Sequence, residues 1–320
     1  MGPLLTLHVL AASAGLFPFL QTFSWEGRIT AVFRTSLLLL GPQETLIHMQ
    51  GGPLLASPFS LRVDGPLAIG GMDIPLVERM PVSKEGWHID IAGCLRLSLD
   101  GVRSYRSPLV AQGQVDPEAL GIAAQILRNE GSGGGFNDIP GLQVGAIEIQ
   151  KALIDGEPER LLAATRQLIG LGPGLTPSGD DFLVGCLKGL WLLAPREPDL
   201  CNMIGLLRSA LTPRLGEQTT CVGAEFIRQA LDGQFAEILD RAAAVLLAPA
   251  NAGDVVSEIS RLLAQGETSG VDTAQGLLTC LDALLHPHPN PPPSRGRGKD
   301  AIGTVIRLNL APMRCGKWSG

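Results

Sequence analysis

Hydrophobic residues change their period once along this chain, near residue 113, and that change restricts it to folds with strands first and helices after. From Leu4 to about Val110 the apolar residues come as short runs or alternate: Ile29 to Leu40, Thr45 to Met49, and Trp87 to Leu99 with Ile89, Ile91, Cys94, Leu95, Leu97 and Leu99. Turns at Gly41-Pro42, Gly51-Gly52-Pro53, Asp64-Gly65-Pro66 and Asp100-Gly101 separate them. From Asp116 onward the spacing is helical, as in Phe182, Leu183, Cys186, Leu187, Leu190 and Trp191. It recurs through Met203 to Leu211, Phe226 to Leu231, Phe235 to Leu247, Val255 to Leu263 and Ala274 to Leu285. The expectation is an α+β protein: a β-rich domain over residues 1–112, for which a barrel-like closure is one solution, then a helical domain over 113–285. The run Gly131-Ser132-Gly133-Gly134-Gly135 reads as a loop between two early helices.

Composition narrows the class further. The 40 glycines and 24 prolines among 320 residues sit between periodic segments, so they punctuate elements and do not signal disorder. The segment from His286 to Gly320 holds six Lys or Arg against one acid, so the remainder is more acidic than the net charge of −6 and makes a poor nucleic-acid surface. That segment, rich in proline, reads as a disordered basic tail appended to a finished domain, and its His286 and His288 rank low as metal ligands. His8, Pro18, Arg28 and Arg34 interrupt the N-terminal hydrophobics, which excludes a membrane span there. Leu4 to Leu10 followed by Ala12-Ser13-Ala14 imitates a signal peptide, but no Lys or Arg precedes Arg28. Six cysteines with no CxxC pair suit reduced thiols and a cytoplasmic location.

The most informative stretch is Gly170-Leu-Gly-Pro-Gly-Leu-Thr-Pro-Ser-Gly-Asp-Asp181, between two periodic helices. Gly172, Gly174 and Gly179 permit close backbone approach, Thr176 and Ser178 bring hydroxyls, and the loop ends where helix amides point outward, the layout of an anion cradle. It is neither a Walker A loop nor a GxGxxG turn. Capping is the plainer alternative, with Ser178 as N-cap, Asp181 three residues on and Gly172 closing the helix before. The pattern Ser-Gly-x-Asp-x-x-x-Gly-x-Leu-x-x-Leu occurs twice, at Ser178 and again at Ser269. In neither copy is the second of these mid-helix glycines cheap unless another backbone packs on it, so Gly185 and Gly276 are expected to touch and bring the two helix starts together.

Convergent N-termini with Thr176, Ser178, Thr268, Ser269 and Gly270 favour a phosphate or carboxylate. Asp180, Asp181 and Asp272 would repel it, unless Mg²⁺ held by Asp180 and Asp181 bridges the charges or the carboxylates accept N–H from an amide or carbamoyl ligand. Thr219 and Thr220 add two hydroxyls at another helix start and, taken alone, read as caps. No histidine occurs between Ile89 and Leu285, which excludes a His-based triad or zinc site in the helical half. Cys186 reads as a core thiol, not a nucleophile.

Leu168 to Leu183, Thr219-Thr220 followed by Ala224-Glu225-Phe226, and Thr268-Ser269-Gly270-Val271-Asp272 resemble a bacterial family that includes AllH, a subunit of oxamate carbamoyltransferase. The family's Ser-Ala pair after the two threonines is Gly223-Ala224 here. The resemblance implies transfer of a carbamoyl group between oxalurate and phosphate, giving oxamate and carbamoyl phosphate, with partner subunits, as in allantoin catabolism. It implies that the glycine loop stabilises developing negative charge and that Asp180 or Asp181 orients the carbamoyl NH₂ or a metal, with Asp272 the third candidate catalytic residue beside them. Two further readings remain open: a non-catalytic ligand-binding or scaffold subunit, and a Mg-dependent hydrolase.

Overall fold

The computed structural model describes residues 4–51, 56–65, 76–108 and 113–285. The tail expected to be disordered, with His286 and His288, lies outside them, as does Gly52-Pro53 of one expected turn. The chain divides into two compact units, Met1–Leu109 with Asp232–Asp240, and Val110–Leu231 with the residues from Arg241 on.

In the first unit the strands are β1 (Leu5–Ser13), β2 (Ser24–Val32), β3 (Ser36–Leu40), β4 (Leu46–Gly51), β5 (Ser60–Val63), β6 (Pro81–Glu85), β7 (His88–Ile91), β8 (Leu95–Ser98) and β9 (Arg103–Tyr105). A short helix α1 (Phe17–Gln21), which the strand-like reading of this half did not anticipate, follows β1. The order β5-β4-β3-β2-β6-β7-β8-β1 closes through a β1–β5 pairing, so the β-rich half is an eight-stranded barrel. Closure leaves its eight strands without free edges. β1 carries much of the burden: it runs parallel to β8 (Leu5↔Leu95), then parallel to β9 (Ala11↔Arg103), and antiparallel to β5 (Val9↔Val63). Alternate residues fill the core, among them Val9, Ile29, Leu37, Leu39, Ile47, Met49, Leu61, Ile89, Ile91, Leu95 and Leu97. Lys84 is buried; its ammonium donates to the carbonyls of Thr22 and Gly86, and burial lowers its pKa. His48 on β4 has its pKa pulled down to about 4 by burial, in keeping with a structural histidine.

The stretch Asp232–Asp240 joins this unit through paired polar contacts. Glu237 exchanges backbone and carboxylate bonds with Ala56, and Asp240 accepts from Tyr105 Oη at 3.1 Å and from Ser107 Oγ.

The second unit contains α2 (Pro117–Glu130), α3 (Gly135–Asp138), α4 (Pro140–Asp155), α5 (Pro158–Leu168), α6 (Ser178–Leu193), α7 (Pro198–Leu211), α8 (Leu215–Gln218), α9 (Cys221–Leu231), the second half of α10 (Glu237–Ala244), α11 (Ala252–Leu263) and α12 (Ser269–Leu285). Proline at the first position and an Asp116 side chain accepting from Glu118 and Ala119 amides start α2 where its periodicity begins. Asn251 caps α11 in the same way. Helices α6 and α12 are buried on all sides, every residue from Ser178 to Leu190 and from Gly270 to Ala283 being covered. They pack on each other, with α5, α7 and α9 against α6 and α2, α4 and α11 against α12. A helix covered all round occupies the centre of a bundle, and this unit has two such helices side by side.

Candidate functional site

The two central helices are related by a local two-fold, and the repeated sequence pattern is its origin. A Cβ added at Gly185 would lie 2.0 Å from the Thr273 carbonyl oxygen, and one at Gly276 would lie 1.9 Å from that of Phe182. Phe182 and Thr273 occupy the same place in the two copies, four residues after Ser178 and Ser269. At the helix starts, a Cβ at Gly179 would meet the Leu168 carbonyl oxygen at 1.9 Å, and one at Gly270 that of Leu262 at 1.8 Å. All four glycines are therefore places where two backbones touch, which only a residue without a side chain allows. Gly179 and Gly270, expected to approach a ligand, approach the ends of the preceding helices instead.

The helix starts do converge. Thr176 Oγ1 and Ser269 Oγ are 2.9 Å apart, so the loop before α6 meets the first residue of α12. The amides of α6 are largely engaged within the fold: Gly179 donates to Leu171 O at 2.8 Å, and Asp180 and Asp181 donate to Pro177 O. Gly270 likewise donates to Gln265 O and Asp272 to Thr268 O. Ser178 is not the N-cap that the plainer reading had; Pro177 takes that position and no side chain caps the helix. Proline preorganises the turn while Leu171 and Pro177 carbonyls take the amides that a cap would have satisfied.

The three aspartates share burial but not partners. Asp180, 1% exposed, accepts from the Gly170 amide at 2.7 Å and from the Thr219 hydroxyl, tying the loop before α6 to the segment before α9. Gly223 leaves the room for it, since a Cβ there would stand 2.1 Å from Asp180 Oδ2. Asp272, fully buried, accepts from the consecutive amides of Gly135 and Phe136 at 3.2 and 3.1 Å, with the hydroxyls of Ser178 and Thr268 beside it. Burial raises the pKa of both, and these donors work against the rise. Asp181 differs. It is 8% exposed, and among the described residues its Oδ2 has no hydrogen-bond partner. Its carboxyl is pushed up to about 7, mainly by burial, with the Asp272 and Asp180 charges adding to the rise and the nearby hydroxyls of Ser269 and Thr176 opposing it.

The remaining expected residues sort around this carboxyl. Ser178 is buried beneath α3, where Gly135 has no room for a side chain. Thr220 caps α9, accepting from the Gly223 amide at 2.9 Å, and its hydroxyl donates to the Leu175 carbonyl, bracing the glycine loop. Gly172 and Gly174 have φ of +114° and +96°, a region open chiefly to glycine. Cys186 is a buried core thiol whose Sγ faces Gly276 O, and burial raises its pKa well above the ordinary value. Among the described residues no three His, Cys, Asp or Glu side chains come together as a metal site. What sequence reasoning missed is the run Gly131–Gly135: instead of an unstructured loop it makes a 3-10 turn and opens α3, and its amides hold Asp272. Stacking of Phe136 on Phe182, centroids 6.0 Å apart, seats it. The only trace in the sequence was the density of glycines.

Loop strain and crowding separate in a simple comparison. Gly174 stands in open space, so Gly174→Ala is expected to cost only the left-handed backbone term, about 1–2 kcal/mol. Gly170→Ala adds to the same term, at φ +75°, a Cβ 2.3 Å from Gln218 O, and its urea midpoint should fall well below that of Gly174→Ala.

The geometry defines a class: a helical unit whose two central helices start side by side and gather buried aspartates and hydroxyls there. Residues 168–281 match the family described as oxamate carbamoyltransferase subunit AllH, a segment that runs from the end of α5 through most of α12 and contains the glycine loop, Thr219-Thr220 and Thr268 to Asp272. The resemblance read from the sequence is borne out over that segment. No solved structure matches the chain. No helix among the described residues is long and apolar enough to cross a membrane.

Proposed function

We propose that this protein is a carbamoyltransferase-type subunit that binds a small anionic carboxylate-amide together with phosphate and works with partner subunits in the cytoplasm. In the reaction read from the family, a phosphate oxygen attacks the carbamoyl carbon of oxalurate. The bond from that carbon to the oxamate nitrogen breaks, and the nitrogen takes up a proton as oxamate and carbamoyl phosphate leave. The observation that carries the reading is a buried carboxylate oxygen without a partner beside the Thr176–Ser269 hydroxyl pair, within the segment that matches the family. A buried carboxylate left so is costly, and such cost is retained where a ligand removes it. Thr176, Ser269 and the turn of half-buried Gly172 and exposed Gly174 are the groups we assign to ligand oxygens, and Asp181 to the reacting amide.

Asp180 and Asp272 are already engaged by backbone and hydroxyl donors, which favours a ligand-binding subunit that needs its partners for turnover over a self-sufficient enzyme. The test combines thermal unfolding of the full chain with phosphate, oxamate or oxalurate and an assay of carbamoyl phosphate formation, alone and with the partner subunits. A ligand at 100-fold its Kd is expected to raise the midpoint by about 5 °C or more, and turnover is expected only in the reconstituted complex. No shift with any of the three compounds, together with no turnover in the complex, overturns the reading.

A further inference from the structure

The local two-fold lets one aspartate report on the other. Ser178 and Ser269 correspond, as do Asp181 and Asp272. Each aspartate lies beside the serine of the opposite helix, Asp181 by Ser269 and Asp272 by Ser178. The backbone crossings that relate them agree closely, 2.0 against 1.9 Å at the mid-helix glycines. In one copy the fold completes the arrangement with two main-chain N–H groups, from Gly135 and Phe136, on the two oxygens of Asp272. In the other copy Asp181 Oδ2 has no such donor among the described residues, though that oxygen too is shielded from water. The third aspartate repeats the lesson: Asp180 is satisfied by an amide and a hydroxyl, not by a cation.

We infer that Asp181 is the ligand-reading residue of this site and that it takes a neutral N–H donor, so the ligand carries a primary amide or carbamoyl NH₂ placed as the α3 amides are placed on Asp272. The inference deepens the function proposed above and rests on the glycine loop being a ligand site. It also divides the aspartates: Asp181 touches ligand, while Asp180 and Asp272 are positioning residues that hold the loop and α3.

Oxamate and oxalate test this, being alike in shape and differing in whether one end bears NH₂. Calorimetric titration of the full chain should show oxamate binding about tenfold or more tighter than oxalate, the scale of a buried hydrogen bond to a charged group. Asp181→Asn should lose that preference or reverse it, because its own amide can donate to oxalate, and Asp181→Ala should abolish it. Equal affinity of the wild type for both compounds, or a preference that survives in both variants, overturns the inference while leaving the anion site standing. Tighter binding of Mg²⁺ or guanidinium than of oxamate, lost in Asp181→Asn, overturns it in favour of a cation. Binding of none of these compounds, nor of phosphate, removes the anion site and the inference together.

Discussion

Asp181→Asn should make the protein more stable at pH 8 than it is with its native residue, by roughly 3–4 kcal/mol. The folded carboxyl sits near 7, against about 3.8 for an unperturbed one. Between these values the folded chain holds a proton that the unfolded chain has released, so stability falls as pH rises from about 4 and levels off above about 7. Each unit of that gap is worth about 1.4 kcal/mol. Burial is the main cause, and the Asp272 and Asp180 carboxylates that face Asp181 contribute, while the Ser269 and Thr176 hydroxyls soften the effect. An asparagine of the same shape has no charge to desolvate, so the gap between variant and wild type should be widest at pH 8 and close towards pH 4. Unfolding midpoints followed across that range check the prediction; a wild type as stable at pH 8 as at pH 5 would show that Asp181 has a partner in solution. The same change should weaken ligand binding, the usual exchange between stability and function at a site held in a costly state.

The second large effect lies at the seam between α6 and α12. Gly276→Ala places a Cβ 1.9 Å from the Phe182 carbonyl oxygen and 3.1 Å from the Cys186 amide, both main-chain atoms that no rotamer change can move aside. Gly185→Ala does the same against Thr273 O and Leu277 N. Alanine favours an isolated helix over glycine by up to about 1 kcal/mol. Here that gain is outweighed, because two buried helices must separate and lose packing along their length, and a net loss of about 3 kcal/mol or more is expected. Gly205→Ala on α7 is the control: its Cβ meets nothing within 4 Å, and it should gain stability by about 0.5–1 kcal/mol. Denaturant titrations of the three variants decide the matter; Gly276→Ala and Gly205→Ala behaving alike would mean that the helices do not cross at these glycines. Because the seam also sets the distance from Thr176 to Ser269, Gly276→Ala should impair ligand binding more than its global stability loss alone predicts.

Much of the architecture was legible because hydrophobic period is a local property. Alternation from Ile29 through Leu99 marked the sheet and helical spacing marked the bundle, since each follows from which face of an element is covered. The glycines at 185 and 276 pointed to a backbone crossing for a similar reason, as mid-helix glycine is costly without one. Other features had no local signature. The passage of Asp232–Asp240 into the barrel unit rests on Ala56, Tyr105 and Ser107, distant in sequence, and helix α1 interrupts a stretch whose residues suit strands.

The amino-acid sequence by itself determined that strands come first and helices after, that two helices would begin alike and meet, and that hydroxyls, glycines and aspartates would gather at their starts. Tertiary structure alone decided which aspartate keeps an unpartnered oxygen: three look equivalent in the chain, yet amides 136 and 137 residues away satisfy Asp272, the Gly170 amide and the Thr219 hydroxyl satisfy Asp180, and Asp181 Oδ2 receives none among the described residues. The physical reason is that burial and hydrogen-bond partnership depend on what the folded chain brings within 3 Å, and that distance is not written in any local pattern.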